Sequence, residues 1–462
     1  MCIRDRSTDP LFSRLWTTEG CRDALLNNIN KDDLPNFRLV CHDFRDRAAP
    51  YLFEDISITF KQGTFTKPAR MAALKRVGHH VRSLTFNMPH TSETFLPPLI
   101  DPYTGEEQSF EYVPQVRSPT NLPGKAKEPK YGSWEMTELL IQQYPPLFHA
   151  ATNVPSFIQA FSMVPFLTHL KISCLGQNSS QRYRRSIVDY ALISLRIAVE
   201  CAYLDCLTTL SLLPIHPSGL FYLQPLLSYG ATPSSSRRWS RIRKLAIHID
   251  SFPCREGQRI DHLVLLQNYL RAFSPSLTRL LFRWRGDKGP SPFTLPVEPP
   301  CTPPHPSMRR VQKPLPRRPL QFPCLQYMEL ENASMSASSI STFITSHRRH
   351  LTEFIFEDIH LTSGTWDDAL APLSRIVGND SWKQKQEEVM DVPLVLSPVG
   401  LAPRTAERLV QQSKVEREKG GLTMSRWFSR RRTGAERRAK DGVGACEEGM
   451  RRFLRTAVGA WH

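Results

Sequence analysis

Pairs of histidines and cysteines are the first residues to consider for chemistry. His79 and His80 are adjacent, Cys201 and Cys206 lie five positions apart, and none of the ten cysteines follows a C-x-x-C spacing. Zinc knuckles and thioredoxin-type redox sites need that spacing, so the sequence predicts neither. We expect the two histidines to end a helix, where a cation interacts favourably with the helix dipole. A five-residue step places Cys201 and Cys206 on different helix faces, and we expect both to be buried.

Sequence motifs of the common enzyme classes are absent. The chain contains no G-x-S-x-G nucleophile elbow, no G-x-x-x-x-G-K-[ST] phosphate loop, no G-x-G-x-x-G and no H-E-x-x-H. Catalytic residues can be dispersed along a sequence, so this absence does not exclude catalysis, but it supports no reaction class. We therefore expect a binding protein that has no catalytic residues, metal ligands or cofactor.

Composition limits the class of protein. Hydrophobic residues make up 40% of the 462 residues and charged residues 23%, which is typical of a soluble globular protein. The sequence has no apolar run of signal-peptide type and none long enough to span a membrane. We expect a cytoplasmic or nuclear protein with reduced thiols and without a membrane partner.

Half of the net charge of +16 lies near the C terminus. Between Arg404 and Arg455 the chain has 15 Lys or Arg against 7 Asp or Glu. Basic runs such as residues 426–440 can serve in nuclear import or in contacts with acidic lipid or RNA, whereas a solvated tail is the simpler interpretation. We predict that residues 401–462 form a basic tail that is disordered or loosely helical.

An apolar helical pattern runs directly into a strand pattern at residues 34–60. The pattern predicts a helix with one apolar face. Pro50 should end this helix, because proline has no backbone N–H. His42 and Asp43 fall on the opposite, solvated side. Short helices of this kind bury little between themselves, so their apolar stripe needs another surface. The stripe and an earlier one before it contain Leu25, Leu26, Ile29, Leu34, Phe37, Val40, Cys41 and Phe44.

This segment resembles the F-box, the helical module that docks on the Skp adaptor of SCF ubiquitin ligases. The string LVCHDFRD at residues 39–46 is its most specific match, whereas the Leu-Pro that usually opens the family is replaced by Thr17-Thr18. The resemblance implies that residues 11–52 are the module and that the eight apolar residues named above bind the adaptor. An ordinary helical hairpin inside a larger core is the alternative.

A different apolar pattern, which includes the strand at the end of this segment, occurs eight times along the chain. It consists of an apolar residue, two others, an apolar residue, one other and an apolar residue. Alternation at the last two positions is typical of a half-buried strand. Helical patterns at 69–77, 186–202, 261–273 and 334–347 lie between several of these strands. The eight occurrences are Phe53/Ile56/Ile58, Val81/Leu84/Phe86, Leu167/Leu170/Ile172, Leu207/Leu210/Leu212, Ile242/Leu245/Ile247, Leu277/Leu280/Phe282, Leu325/Met328/Leu330 and Leu351/Phe354/Phe356.

These repeats resemble the degenerate leucine-rich repeat arrays that follow F-boxes in many fungal proteins. The resemblance implies an α/β fold in which parallel strands alternate with helices in an irregular solenoid over residues 53–400. Insertions are predicted at 87–165 and 286–323, and the second holds 12 of the 38 prolines. The asparagine ladder of regular repeats is absent, although Asn87 and Asn332 lie near the expected position.

An array of this type would bind a partner with the strand positions that lie between the apolar ones. We expect the partner to be an acidic or phosphorylated protein segment, since those positions carry hydroxyl, basic and aromatic groups. The residues predicted to contact it are Arg82, His169, Lys171, Arg243, Lys244, Arg279 and Tyr327.

Three functions are compatible with these patterns. The first is a substrate-recognition subunit of an SCF-type ubiquitin ligase, which binds a Skp-type adaptor, a cullin scaffold and an unidentified target. The second is a leucine-rich-repeat scaffold with no ligase role, in which the F-box-like helices cap the array. The third is a basic protein associated with RNA, which we consider the weakest because the charge is concentrated in the tail.

Overall fold

The computed structural model describes residues 10–117, 129–176, 185–225, 233–250, 256–293 and 320–376. All of them belong to one structural unit, Met1–Val377. The predicted basic tail and residues 294–319 of the proline-rich insertion lie outside the described residues.

The fold is mixed α/β and is built on one eight-stranded parallel sheet. The main sheet has the strand order β1-β2-β5-β6-β7-β8-β10-β12, so it follows the order of the chain. The strands are β1 (Asp55–Thr59), β2 (Ser83–Asn87), β3 (Leu99–Ile100), β4 (Glu107–Gln108), β5 (His169–Ser173), β6 (Thr209–Ile215), β7 (Lys244–Asp250), β8 (Arg279–Arg285), β9 (Gly289–Pro290), β10 (Tyr327–Glu331), β11 (Ala333–Met335), β12 (Glu353–Glu357) and β13 (His360–Leu361).

Four helices precede the sheet and others alternate with its strands. Two short 3-10 helices, Gly78–His80 and Ser92–Thr94, complete the described elements. The helices are α1 (Pro10–Thr17), α2 (Glu19–Asn28), α3 (Leu34–Phe37), α4 (His42–Phe53), α5 (Pro68–Val77), α6 (Trp134–Gln143), α7 (Pro146–Ala151), α8 (Val154–Ser162), α9 (Ile187–Cys201), α10 (Pro217–Tyr222), α11 (Pro233–Trp239), α12 (Glu256–Phe273), α13 (Ala337–His347) and α14 (Trp366–Ile376).

The eight predicted strands are the eight strands of the main sheet. Their central apolar residues are in register across all seven strand pairs, and so are the last apolar residues of each pattern. Each column therefore lies at one height along the strands and faces the helices. The central column is Ile56, Leu84, Leu170, Leu210, Leu245, Leu280, Met328 and Phe354, and the last column is Ile58, Phe86, Ile172, Leu212, Ile247, Phe282, Leu330 and Phe356.

Backbone hydrogen bonds repeat in the same way at the N-terminal ends of the strands. The carbonyl of Arg243, for example, accepts the N–H groups of both Thr278 and Arg279, at 2.8 and 3.0 Å. Seven consecutive units make this double contact with the next one, and the hydroxyl of Thr278 donates to the same Arg243 carbonyl at 3.0 Å. The contact fixes where each strand begins relative to its neighbour.

The first insertion is part of the hydrophobic core. It contains helices α6, α7 and α8, and Leu140, Phe148 and Phe157 belong to the same buried cluster as the strand residues. Residues 88–168 therefore separate β2 from β5 along the chain without separating the two strands in the sheet.

A second, smaller parallel sheet lies beyond the C-terminal ends of the last main strands. Its order is β13-β11-β9, one strand from each of three consecutive units. Asn332 adopts a left-handed conformation, with φ of 58°, between β10 and β11. Its side-chain amide donates to the carbonyls of Trp284 and Gly286 at 3.0 and 2.9 Å. This asparagine joins adjacent units, whereas Asn87 donates to the Ser57 hydroxyl at 2.9 Å.

Two local predictions in the N-terminal region are wrong. The predicted helix through Leu34 and Phe44 is two helices, because residues 38–41 form a connection between α3 and α4. Pro50 does not end the helix but lies inside α4. Its missing N–H removes one helical hydrogen bond, and the packing of Ala48, Ala49 and Leu52 keeps the helix intact to Phe53.

A buried charged network joins α9 to α11. The Arg196 guanidinium donates to both carboxylate oxygens of Glu200, at 3.0 and 3.1 Å, and both side chains are almost completely buried. Glu200 also accepts from the Ser235 hydroxyl at 2.7 Å and from the Trp239 indole at 2.9 Å. A buried carboxylate with three donors is satisfied, so its desolvation cost is largely offset.

We predict that Glu200→Gln lowers the free energy of unfolding by about 3–5 kcal/mol, because it removes the buried carboxylate charge that pairs with the Arg196 guanidinium. Thermal and denaturant unfolding measure the change. Glu19→Gln is the matched control, since the Glu19 side chain is 84% exposed and pairs with Arg22 at 3.8 Å, and it should change stability by at most about 1 kcal/mol. Equal effects of the two substitutions would contradict the prediction.

Candidate functional site

The N-terminal helices α1–α4 bury a small core of their own. Trp16, Leu26, Leu34 and Ala48 are its buried members. Aromatic rings pack closely around them: Phe44 stacks on Phe37 with ring centroids 4.4 Å apart and lies 4.4 Å from the Trp16 ring. Side chains from all four helices therefore contribute to one cluster, which we call the N-terminal module.

This core corrects the prediction that the short N-terminal helices bury little between themselves. Leu26 and Leu34 are buried within the module. Four further members of the predicted adaptor-binding set, which are Leu25, Ile29, Phe37 and Phe44, are half-buried against that core. The apolar pattern of residues 25–44 did not indicate that α1 would supply Trp16 as a packing partner.

The other two members of the set lie on the surface. Val40 is 66% exposed. Cys41 is exposed and caps α4, since its sulfur accepts a hydrogen bond from the Phe44 N–H at 3.5 Å. The structure therefore separates the eight predicted residues into six that stabilise the module and two that are available to a partner.

Exposed apolar residues that the sequence analysis did not single out lie close to Val40 in the chain or on α1. Leu39 is 84% exposed and precedes Val40, and Leu11, Phe12 and Leu15 of α1 are 71%, 41% and 42% exposed. We call Leu11, Phe12, Leu15, Leu39 and Val40 the apolar surface of the module. The sequence signal for this surface was the i, i+4 spacing of Leu11 and Leu15, which is offset by one position from the spacing of Phe12 and Trp16.

Asp43 is exposed, as predicted, and it also contacts the core of the module. Its carboxylate accepts a hydrogen bond from the indole N–H of the buried Trp16 and pairs with Arg47 at 2.8 Å. The Trp16 hydrogen bond, with the Arg47 charge, lowers the pKa of Asp43. The contact fixes α1 against α4 and thereby positions the apolar surface. His42 is exposed, as predicted.

The face of the main sheet that is opposite the apolar columns carries polar residues in register, and we call it the open face. One row crosses it as His169, Thr209, Lys244, Arg279, Tyr327 and Glu353. Four of the predicted partner-binding residues are therefore brought into one line. Lys171 lies in the next row, on β5, while Arg82 and Arg243 directly precede their strands and are exposed.

Several of these side chains already have partners within the chain. Lys171 pairs with Asp55 at 3.4 Å, and the Arg82 guanidinium lies over the Phe166 ring, 4.9 Å from its centroid. The Arg279 guanidinium lies over the Tyr327 ring at 4.1 Å, and the Tyr327 hydroxyl donates to Glu329 at 2.7 Å.

The histidines of the open face are held in the neutral form. His169 is buried, with its Nε2 2.8 Å from the Ser211 hydroxyl. Burial, together with the charge of Lys171, lowers the pKa of His169 to about 4. Burial and the guanidinium groups of Arg283 and Arg285 lower the pKa of His248 to about 4. Positive side chains on β5, β7 and β8 add to the effect of burial on these two pKa values.

Comparison of the chain with models of protein families, with curated proteins and with solved structures gives no match.

The cysteine and histidine pairs do not form a reactive site. Cys201 and Cys206 are both exposed, which corrects the prediction of burial: Cys201 ends α9 and Cys206 lies in the connection to β6. His79 and His80 form the turn after α5, but burial and the neighbouring His79 lower the pKa of His80. The protonated form of His80 is therefore disfavoured, contrary to the prediction, whereas Lys75 and Arg76 place cations in the last turn of α5.

Within the described ranges, no group of three or more acidic, histidine or cysteine residues has the geometry of a metal site. The described helices include none with both the length and the apolar character that crossing a bilayer requires.

We predict that the protein loses stability as the pH falls from about 6.5 towards 4, because the unfolded chain takes up a proton at His169 that the folded protein does not. Between pH 7.5 and 5 this histidine contributes a loss of up to about 2 kcal/mol. His169→Gln can still bond to Ser211 but does not titrate, so its unfolding free energy should fall less over that interval.

The exposed His42 provides the control, as His42→Gln. Denaturant unfolding at the two pH values measures the differences, and an identical pH dependence in wild type and His169→Gln would refute the assignment to His169.

Proposed function

We propose that this protein is a non-catalytic substrate-recognition subunit of an SCF-type ubiquitin ligase. In this proposal the N-terminal module is an F-box that docks on a Skp-type adaptor, and the eight repeats form a leucine-rich-repeat-like solenoid that holds a target protein. The observation that carries the proposal is the succession, within one unit, of an all-helical module with an apolar surface and a parallel sheet whose strands follow the chain order.

The sheet supports the solenoid part of the proposal. Each unit contributes one main strand and pairs only with the unit before and after it, from β1 to β12. Its apolar residues lie in columns that continue through the neighbours. An array of this type buries each unit against the next and leaves one sheet face for binding.

The apolar surface of the module supports the docking part. Leu39 is 84% exposed, so its apolar side chain adds nothing to the stability of the folded chain. Adjacent exposed apolar residues beside a stable core are typical of a protein–protein interface. The ligase then needs no catalytic residue from this chain, because the module and the open face hold a target close to the ubiquitin-charged enzyme.

A second candidate is a repeat scaffold with no ligase role, whose N-terminal module is a cap. It is favoured by the direct passage from α4 into β1, the first strand of the main sheet, and by the contact of α4 with the turn Gly78–His80. The Arg38 guanidinium also lies over the Phe53 ring, 4.8 Å from its centroid, at the end of α4. The two candidates differ in whether Leu39 and Val40 bind an adaptor.

We predict that the double substitution Leu39→Asp and Val40→Asp abolishes co-purification with a Skp-type adaptor. A charge placed in a dry interface costs several kcal/mol unless it is paired, and each 1.4 kcal/mol weakens binding tenfold. Pull-down of the tagged chain, probed for the adaptor and the cullin, measures the effect. Undiminished recovery of the adaptor by this variant would argue for the scaffold.

Val113→Asp is the matched control, because Val113 is 69% exposed and lies outside the module. It should leave adaptor binding unchanged. Phe44→Asp tests a different property: its ring packs against Phe37 and Trp16, so this substitution should unfold the module and remove adaptor binding indirectly. Circular dichroism distinguishes the surface effect from unfolding.

A further inference from the structure

The open face is electrostatically polarised over its last four strands. The row Lys244, Arg279, Tyr327, Glu353 begins with two cations and ends with an anion. A parallel row, four residues further along the strands, has the neutral His248, the cation Arg283 and the anions Glu331 and Glu357. Positive charge therefore lies over β7 and β8, and negative charge lies over β10 and β12.

An apolar strip separates the two charged rows. Ala246, Leu281 and Ile355 occupy the intermediate row, in which Glu329 is the polar member. Leu281 is 7% exposed, and the Glu329 carboxylate already accepts the Tyr327 hydroxyl. The surface thus consists of an apolar floor with charges of opposite sign at its two ends.

The charges nearest the centre of this surface are paired within the chain, whereas those of Lys244 and Glu353 at its ends are not. Arg283 pairs with Glu331 at 3.3 Å across β8 and β10, and Arg285 pairs with Asp250 at 3.2 Å. Lys244 and Glu353 are both exposed, and within the described part of the chain neither side chain has a hydrogen bond or an ion pair. They are available to a partner.

We propose that the open face binds an extended target segment that lies across β7, β8, β10 and β12 with acidic side chains at Lys244 and basic side chains at Glu353. The inference deepens the proposed function, since it names the chemistry of the target, and it replaces the purely acidic segment expected from the sequence. A one-signed segment would be repelled at one end of the surface.

The strand spacing sets the distance between the two charges of the target. Three steps of about 4.8 Å separate β7 from β12, or about 14 Å, and an extended chain advances about 3.3 Å per residue. An acidic residue and a basic residue about four positions apart would therefore reach Lys244 and Glu353 together, with a small apolar residue between them over Leu281.

Two fluorescein-labelled peptides of identical composition test this spacing. The first, Glu-Glu-Leu-Ser-Lys-Lys, segregates its charges, and the second, Glu-Lys-Leu-Ser-Glu-Lys, alternates them. Fluorescence anisotropy with the full-length chain at low ionic strength should show at least fivefold tighter binding of the segregated peptide. Equal affinity of the two peptides, or binding of neither, would overturn the proposal.

Charge reversals on the protein test the location. Lys244→Glu and Glu353→Lys should each weaken binding of the segregated peptide about fivefold or more. Lys75→Glu, an equal change on the exposed side of α5, should not. If Lys75→Glu weakens binding equally, the effect is one of net charge and the proposal fails.

Two other occupants of the face give distinguishable results. Sedimentation of the wild-type chain as a dimer that Lys244→Glu dissociates would assign the face to a second copy. Tighter peptide binding after deletion of residues 401–462 would assign it to the basic tail. Either result overturns the proposal. Adaptor co-purification of the same variants is measured in parallel: intact adaptor binding without peptide binding refutes this inference and leaves the ligase proposal standing.

Discussion

The registration of apolar side chains across the main sheet is the constraint on which the rest of the structure depends. Two columns, through Leu245 and Ile247, run from the first strand to the last at constant height. Because side chains alternate along a strand, a slip of one residue in any pair would turn those residues to the open face and bring charged residues into the core. The paired backbone contacts at the start of each strand prevent such a slip. The order of polar residues on the open face is therefore fixed by the order of apolar residues beneath it.

The same registration explains how the chain combines a stable interior with a charged open face. Along β7, residues of two kinds alternate. Leu245, Ile247 and Ile249 are all buried. Lys244, Ala246 and His248 lie between them on the open face and are not buried. Selection for binding can change the open-face set while the buried set keeps the fold. The N-terminal module achieves a comparable division with a few aromatic rings, since Trp16 and Phe44 face inward and Val40 faces solvent. In both regions the stabilising and the available residues are neighbours in sequence.

The strands were predictable because their signal is local and repeated: a period of two at eight places specifies both the element and its inward face. The helices after β1, β5, β7 and β10 were predictable for a related reason. The N-terminal region was not, because its outcome depends on contacts between distant residues. Only the packing of Trp16, and its bond to Asp43, shows that most of the apolar stripe is internal.

Charge polarity on the open face also escaped prediction. The repeated motif ends at its last apolar residue, whereas β7 and β8 continue to Asp250 and Arg285. His248 and Arg283, on those strand extensions, were therefore not considered. The acidic residues of β10 and β12 lie beside the basic residues of β8 only through the register of the sheet, which the sequence alone does not give.

The pairing of β2 with β5 across residues 88–168 has a consequence for how the chain folds. Most neighbouring strands of the main sheet are joined by one helix or a short connection, so their contacts form between residues that are close in sequence. The β2–β5 pair instead requires closure of a long loop that includes three helices. Contacts of high sequence separation slow folding, because loop-closure entropy is lost before the contacts form. Units from β5 onward can acquire structure without waiting for the first two strands, and the N-terminal module with β1 and β2 would then join an array that already exists. In a cell, the N-terminal end of the molecule would join the array last, although the ribosome makes it first.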